Sequence, residues 1–248
     1  MSSTQIVRET ANGPQLAFEK LPLPEPQAGQ ALVKIEFTAQ NPTDVQSFDS
    51  NAFGDGAVLG CDFVASVGQY AIQLAKLSGI EVITVCSPKH FDFVKRLGAT
   101  HVMDYRAEDV VEQIKRAVPD LIYIFDTIGS KDSSRMASHA VGGAGGTLCT
   151  VRPGKANTEE VADGVTVTDV LVWTAFLKEH SYGKFYWPPS EPDHALAAEL
   201  FEKLPTWLES KSFVPNNAHV LEGLESVPQG FEMHRKGEIS GFKIVYKI

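Results

Sequence analysis

The sequence predicts an α/β chain built around a parallel sheet. Two observations carry this expectation. Short apolar runs recur at Val82–Cys86, Leu121–Phe125 and Thr147–Val151, with helical patterns of about ten residues between them. Those patterns close on Gly79 and Gly98 or stop before Pro119, as helices do. Continuous apolar strands need helices on both faces, which parallel sheets supply. Crossovers between parallel strands are right-handed, so the expected topology is the doubly wound one whose crevice takes nucleotides.

The elements follow in order. Leu21-Pro-Leu-Pro-Glu-Pro is an extended linker, because each proline removes a ladder donor. Gln30–Phe37 alternates with period two and is expected to be a strand. Asn41-Pro-Thr-Asp is a turn opening a short helix. Val67, Ala71, Leu74, Ala75 and Ser78 share one helix face, ending at Gly79. After Val82–Cys86 come a helix over His90–Leu97, a strand at His101–Asp104 and a helix over Ala107–Val118. Val165–Trp173 is a further strand candidate. Asp193–Ser210 is a helix expected to break at Pro205, and Gly241–Ile248 a closing strand.

Composition narrows the function classes. The 248 residues suit one or two domains. Lys plus Arg number 22 against 31 Asp plus Glu, a net charge of −9. Such a chain lacks the basic footprint of a nucleic-acid binder and any basic cluster for acidic lipid. No apolar run approaches the ~20 residues of a membrane span. The first residues show no charged segment leading into an apolar stretch, so no leader is expected and the location is cytoplasmic. Three scattered cysteines, Cys61, Cys86 and Cys149, point to a reducing compartment and no structural metal site.

The strongest local pattern is Ser66-Val-Gly-Gln-Tyr-Ala-Ile-Gln-Leu-Ala-Lys. A glycine at a helix mouth lets backbone amides approach a pyrophosphate, and the helix N-terminus favours the charge. Equally, Gly68 serves a tight turn. The full Gly-x-Gly-x-x-Gly pattern is absent. The next strand ends in Cys86-Ser-Pro-Lys-His, with no carboxylate for a ribose 2′-hydroxyl. Ser87 and Lys89 suit a 2′-phosphate; Ser87 before Pro88 also suits a helix cap. Tyr105 would stand at the adenosine end, or be an exposed strand-end tyrosine. Asp126 bounds the crevice or caps the next helix. His139 and Gly142–Gly146 form a helix end and turn. The aromatic run Trp173, Phe176, Tyr182, Phe185, Tyr186 and Trp187 is core, interface or pocket lining. No Ser-His-Asp order supports a hydrolase.

These stretches, with Gly60-Cys-Asp-Phe-Val, Leu97-Gly-Ala, Asp104-Tyr-Arg, Phe125-Asp-Thr-Ile and Lys236-Gly-Glu-Ile-Ser-Gly, resemble the zinc-independent medium-chain dehydrogenases/reductases: quinone oxidoreductases and trans-acting enoyl reductases. The resemblance implies a Rossmann-like domain over 57–189 and a partial GroES-like β domain from 1–56 and 190–248. It implies NADPH as cofactor, no metal, and a small apolar enone, enoyl thioester or quinone as substrate, in secondary metabolism. It places Asn41, Thr43 and Asp44 as catalytic residues lining the cleft. Ser66, Val67, Gly68, Ser87, Lys89, Tyr105 and Asp126 would hold the cofactor. A homodimer through the Val165–Trp173 edge is implied, with no nucleic-acid or membrane partner.

Two departures stand out. Val64-Ala65 runs directly into Ser66-Val-Gly68, where the family inserts about a hundred residues including the first Rossmann strand. Either Ala57–Ala65 serves as a surrogate first strand, despite Gly60 and Asp62, or the chain is internally deleted and leaves an open edge. Gln46 also stands where many relatives carry Lys, and a neutral amide cannot replace an ammonium. The alternative function is therefore an inactive paralogue that binds nucleotide or a partner.

Overall fold

The computed structural model describes residues 2–52, 55, 67–182 and 185–248. The expectations resting on Gly60, Ala57–Ala65 and Ser66 lie outside the described residues. The chain forms two compact units, Met1–Ser66 with Asn216–Ile248, and Val67–Pro215.

The first unit opens with β1 (Ser2–Thr10) and β2 (Gly13–Leu21), an antiparallel hairpin closed at Thr10 and Gly13. The strand expected over Gln30–Phe37 is cut down to β3 (Phe37–Ala39), and Leu32, Val33 and Ile35 are exposed. A period-two run becomes a strand only where a neighbour supplies the ladder. Here pairing to the C-terminal strand starts at Phe37. Helix α1 (Pro42–Asp49) follows, with Pro42 at its first position and a reciprocal capping box between Asn41 and Asp44.

The second unit carries the alternation of helix and strand. Its order is α2 (Val67–Leu77), β4 (Ile83–Cys86), α3 (Phe91–Leu97), β5 (His101–Asp104), α4 (Val110–Ala117), β6 (Tyr123–Asp126), α5 (Lys131–His139), β7 (Gly146–Thr150) and β8 (Val165–Asp169). A short hairpin, β9 (His180–Tyr182) and β10 (Phe185–Trp187), precedes α6 (Glu191–Glu209). All pairings among β4–β8 are parallel, as expected, but they make two sheets, β4-β5 and β6-β7-β8. Ile72 of α2 packs with Val94, Leu97 and Ala99 beside β4 and β5. A second cluster joins Val110 and Ile114 of α4 to Met136 of α5, Ala140, Leu121, Ile83 of β4 and Met103 of β5. Helix α4 packs on β5, and helix α5 on β6 and β7.

Three expectations shift. The strand expected over Val165–Trp173 ends at Asp169 and gives way to a 3-10 turn at Val172–Phe176. Helix α6 runs straight through Pro205, which forfeits one hydrogen bond to residue 201 on an exposed stretch of helix. That helix belongs to the second unit, so the second boundary falls at Pro215 rather than near residue 190.

The chain then returns to the first unit through β11 (Ala218–Glu222), α7 (Val227–Arg235) and β12 (Lys243–Lys247). β12 pairs in parallel with β11 and antiparallel with β3. Val45, Leu221, Val227, Phe231, Ile244 and Tyr246 form this unit's core.

Candidate functional site

Ligands of a parallel sheet bind outside the carboxyl ends of its strands. In the second unit those ends carry Ser87, Tyr105, Thr127 and Val151. Cys86 of β4 pairs with Asp104 of β5, so Ser87 and Tyr105 leave neighbouring strands at the same level. Ser87 stands at the cap position before Pro88, with its hydroxyl making no capping bond. Its backbone carbonyl, not its side chain, accepts from the His90 amide at 2.9 Å. Lys89, two residues on, is exposed.

Arg106 completes this corner and was not singled out from the sequence. Its Nε donates to the Tyr105 hydroxyl at 2.9 Å, and its guanidinium carbon lies 4.9 Å from that ring's centroid. Its amide donates to Asp104 Oδ1 at 3.0 Å, which fixes the turn. The adjacent Asp104-Tyr-Arg stretch was the only sequence sign of it. Ser87, Lys89, Tyr105 and Arg106 thus lie on the two turns that leave the paired ends of β4 and β5. Burial, with a smaller push from Asp104, raises the Cys86 thiol above its usual range, so Cys86 stays protonated at neutral pH.

Gly68 lies in the first turn of α2. A methyl carbon on it would come within 3.5 Å of Thr127 Oγ1. The first turn of α2 and the residue after β6 therefore lie in contact. Val67 opens the same turn.

Asp126 ends β6 and is buried. Its Oδ1 accepts from the amides of Ile128 at 3.0 Å and Gly129 at 2.9 Å. Its Oδ2 accepts from the hydroxyls of Ser133 at 2.9 Å and Ser134 at 2.7 Å. All four contacts shape the loop into α5, so Asp126 positions the crevice wall from within.

In the first unit Asn41 and Asp44 are buried at 2% and 4% exposure. The Asn41 amide donates to Asp44 Oδ2 at 2.7 Å. Lys243 of β12, itself buried, donates to Asn41 Oδ1, and the Tyr246 hydroxyl donates to Gln40 Oε1. Gln40 Nε2 donates to the Gly230 carbonyl at 3.0 Å. Burial and the Asp44 charge push the Tyr246 phenol well above the usual tyrosine range. Asn41 and Asp44 thus brace α1 on β12, while Thr43 and Gln46 share its exposed side. Lys243 and Tyr246 lie in the closing strand, which the sequence offered only as a period-two run.

The aromatic run is partly gathered. Trp173 stacks on His180 at 4.6 Å and His180 meets Trp187 at 6.0 Å, while Phe176 and Tyr186 are exposed.

Residues 66–183 match the family model for zinc-binding dehydrogenases. The chain is 35% identical over 185 residues to a trans-enoyl reductase of Macrophomina phaseolina, covering 73% of this chain and 52% of that protein. Residues 66–183 thus carry a dehydrogenase domain of the medium-chain dehydrogenase/reductase type. The chain is also 30% identical over 191 residues to a zinc-type alcohol dehydrogenase-like protein of Schizosaccharomyces pombe, covering 74% and 53% of the two chains. It spans about half the length of these curated relatives. A quinone oxidoreductase of Pseudomonas syringae shares its fold with a TM-score of 0.67 at 15% identity, over 100% of both chains. This likeness supports a Rossmann-like parallel sheet with a partial GroES-like β domain. Among the described residues, no three His, Cys, Asp or Glu side chains group to hold a metal. No described helix is long and apolar enough to cross a membrane.

Proposed function

We propose that this chain is an NADPH-dependent oxidoreductase that reduces an activated C=C or C=O bond in an enone, enoyl thioester or quinone of secondary metabolism. The paired strand ends support this reading: Ser87, Lys89, Tyr105 and Arg106 lie just beyond the carboxyl ends of β4 and β5, the side on which parallel sheets take ligands. Their donors suit a 2′-phosphate, and residues 87–91, which follow β4, include no carboxylate for a 2′-hydroxyl. When bound, NADPH supplies the hydride.

The residues of this chain bind and orient. Ser87, Lys89 and Arg106 would grip the 2′-phosphate by charge-assisted hydrogen bonds. The first turn of α2, at Val67 and Gly68, would face the pyrophosphate. Asp126 holds the loop beside it. Thr43, exposed on α1, is the hydroxyl available to pass a proton to the reduced substrate, with Asn41 and Asp44 fixing the helix that carries it. A homodimer and a cytoplasmic location belong to the same proposal.

Titrating the full chain with NADPH and NADH while following nicotinamide fluorescence tests the reading. The expected result is saturation by NADPH below about 10 µM, with NADH weaker by tenfold or more. Absorbance loss with a panel of enones, enoyl thioesters and quinones then reports turnover. Saturable binding without turnover on any of the three would replace the proposal with a nucleotide-binding paralogue. Absence of both would remove it.

A further inference from the structure

We propose that the second unit holds a binding site for a diphosphate group, free or esterified, in a cleft at the C-terminal end of α2. The cleft has a volume of about 340 Å³, within the range of small-molecule sites. Lys76, Arg96 and Lys211 line it with Gln73, Leu97 and Val214, and no Asp or Glu stands among its described lining residues. That lining runs against a chain whose 31 acidic residues outnumber its 22 basic ones. Among the described residues these three cations make no ion pair, whereas Lys115, Arg116, Arg135 and Lys203 of the same unit do. Lys76 stands about 12 Å along α2 from Gly68, at 1.5 Å per residue, so the cleft is separate from the cofactor crevice.

Local geometry builds the cleft. Gln73, only 3% exposed, clamps residue 214 to α2. Its Nε2 donates to the Val214 carbonyl at 3.1 Å, and its Oε1 accepts from the Val214 amide at 2.7 Å. Phe213 is buried, and its ring stacks on Tyr70 at 5.3 Å. The stretch 211–214 is thereby held against α2. Lys76 lies across Gly98: a methyl on that glycine would overlap Lys76 Cδ and stand 2.8 Å from its Cβ. Leu97, buried in one cluster with Ile72, gives an apolar wall. Lys211 has φ 58°, the left-handed region where a helix end ordinarily takes Gly.

Each cation sits at or just past the C-terminal end of a helix, α2, α3 or α6, where the macrodipole favours positive charge. That accounts for each one singly, but their convergence puts three cations around one volume. The last-turn carbonyls that would oppose an anion are already occupied. Ala75 accepts from Ile80 at 2.9 Å, Val94 from Ala99 at 3.0 Å and Trp207 from Phe213 at 3.1 Å. A phosphate monoester carries about −1.5 to −2 charge at pH 7, so three cations suit two linked phosphates better than one. Arg96 offers a planar fork to two oxygens, and the lysines act as point charges.

Calorimetric titration of the full chain with inorganic pyrophosphate at low salt tests the site. Saturation below about 1 mM is expected, with orthophosphate at least tenfold weaker. Lys76→Glu and Lys211→Glu, both at exposed positions, should each weaken pyrophosphate at least tenfold with Tm unchanged, and Arg96→Ala likewise. Lys89→Ala, beyond the carboxyl end of β4, should leave it unaltered. Uridine diphosphate separates the two sources: weaker binding than pyrophosphate assigns the cleft to the free anion, equal or tighter binding to an ester, and both uphold diphosphate recognition. Absence of saturation overturns the proposal, as does orthophosphate binding as tightly as pyrophosphate. A loss that follows Lys89→Ala while Lys76→Glu and Lys211→Glu are silent also overturns it, because the anion would then sit in the crevice.

Discussion

Replacing Asp126 with Ala separates a structural anchor from a ligand contact. The carboxylate accepts four hydrogen bonds, two from backbone amides and two from hydroxyls. Two of the four donors have other recourse. The Ile128 amide lies in an exposed stretch open to water, and Ser133 also donates to the Ser130 carbonyl at 3.1 Å. The remaining two do not: Ser134 is wholly buried and the Gly129 amide is enclosed. Each buried donor left without an acceptor costs about 1–3 kcal/mol. The gain from no longer burying a carboxylate offsets part of this, so the net loss is about 3 kcal/mol. For a chain of this size that lowers Tm by roughly 6–12 °C. Asp126→Asn keeps one oxygen on the two amides and turns its amide toward two hydroxyls that can rotate to accept. Its cost should be about 1 kcal/mol. Calorimetry or circular dichroism measures both, and an NADPH titration accompanies them. Because the loop that Asp126 shapes meets the first turn of α2, the Ala variant should bind NADPH about tenfold more weakly while folded. Equal melting of the two variants would refute the hydrogen-bond argument. A full loss of stability with unchanged NADPH affinity would place the loop outside the crevice.

Three further outcomes are expected. Lys89→Ala and Arg106→Ala should each weaken NADPH binding by about tenfold and leave NADH binding unchanged, and the difference should shrink as salt rises; equal losses for both nucleotides count against a 2′-phosphate site. Gly230→Ala should lower stability by about 1–3 kcal/mol in urea, because its methyl would overlap the Tyr246 hydroxyl and stand 2.6 Å from Gln40 Oε1. For Tyr246 the folded-state pKa lies above the unfolded value, so its contribution is full below about pH 10 and is lost as pH rises beyond it. Denaturation curves collected upward from pH 9 should show this fall, and Tyr246→Phe should flatten it.

The sequence was most legible where one segment decides its own structure. His101–Asp104 is a strand with the expected bounds, and α2 and α3 close near the expected glycines. Period and caps suffice there. It was least legible where a strand needs a partner. Gln30–Phe37 alternates well enough, yet only Phe37–Ala39 finds a ladder. The β1–β2 hairpin passed unnoticed, although Asn12-Gly13 is a turn signature of the kind that joins hairpin strands. The site shows the same division. Ser87, Lys89 and Tyr105 could be read from their place after apolar runs. Arg106 could not be separated from an ordinary surface arginine until its Nε was seen on the Tyr105 hydroxyl. Lys243 gave no sign of burial, because nothing local in a closing strand says that residue 41 will lie against it.

The burial of Asn41 and Asp44 bears on how the chemistry would be divided in the first unit. A group that touches substrate must present an atom to the cleft, and these two side chains are buried, with Asp44 Oδ2 held by the capping box and Asn41 Oδ1 by Lys243. A buried ammonium and a buried carboxylate sharing one asparagine are held by mutual hydrogen bonds, and deleting either strands the other at a cost of several kcal/mol. Their influence on a reaction would therefore run through the placement of α1, whose exposed side carries Thr43 and Gln46. The neutral Gln46 cannot supply a proton at physiological pH, whereas the Thr43 hydroxyl can relay one from water. Thr43→Val should then lower kcat for an enone without changing NADPH affinity or Tm, while Asn41→Ala should lower Tm first and activity with it. If Asn41→Ala instead left Tm unchanged and removed turnover, the asparagine would act on substrate directly, and the bracing role assigned to it here would fail.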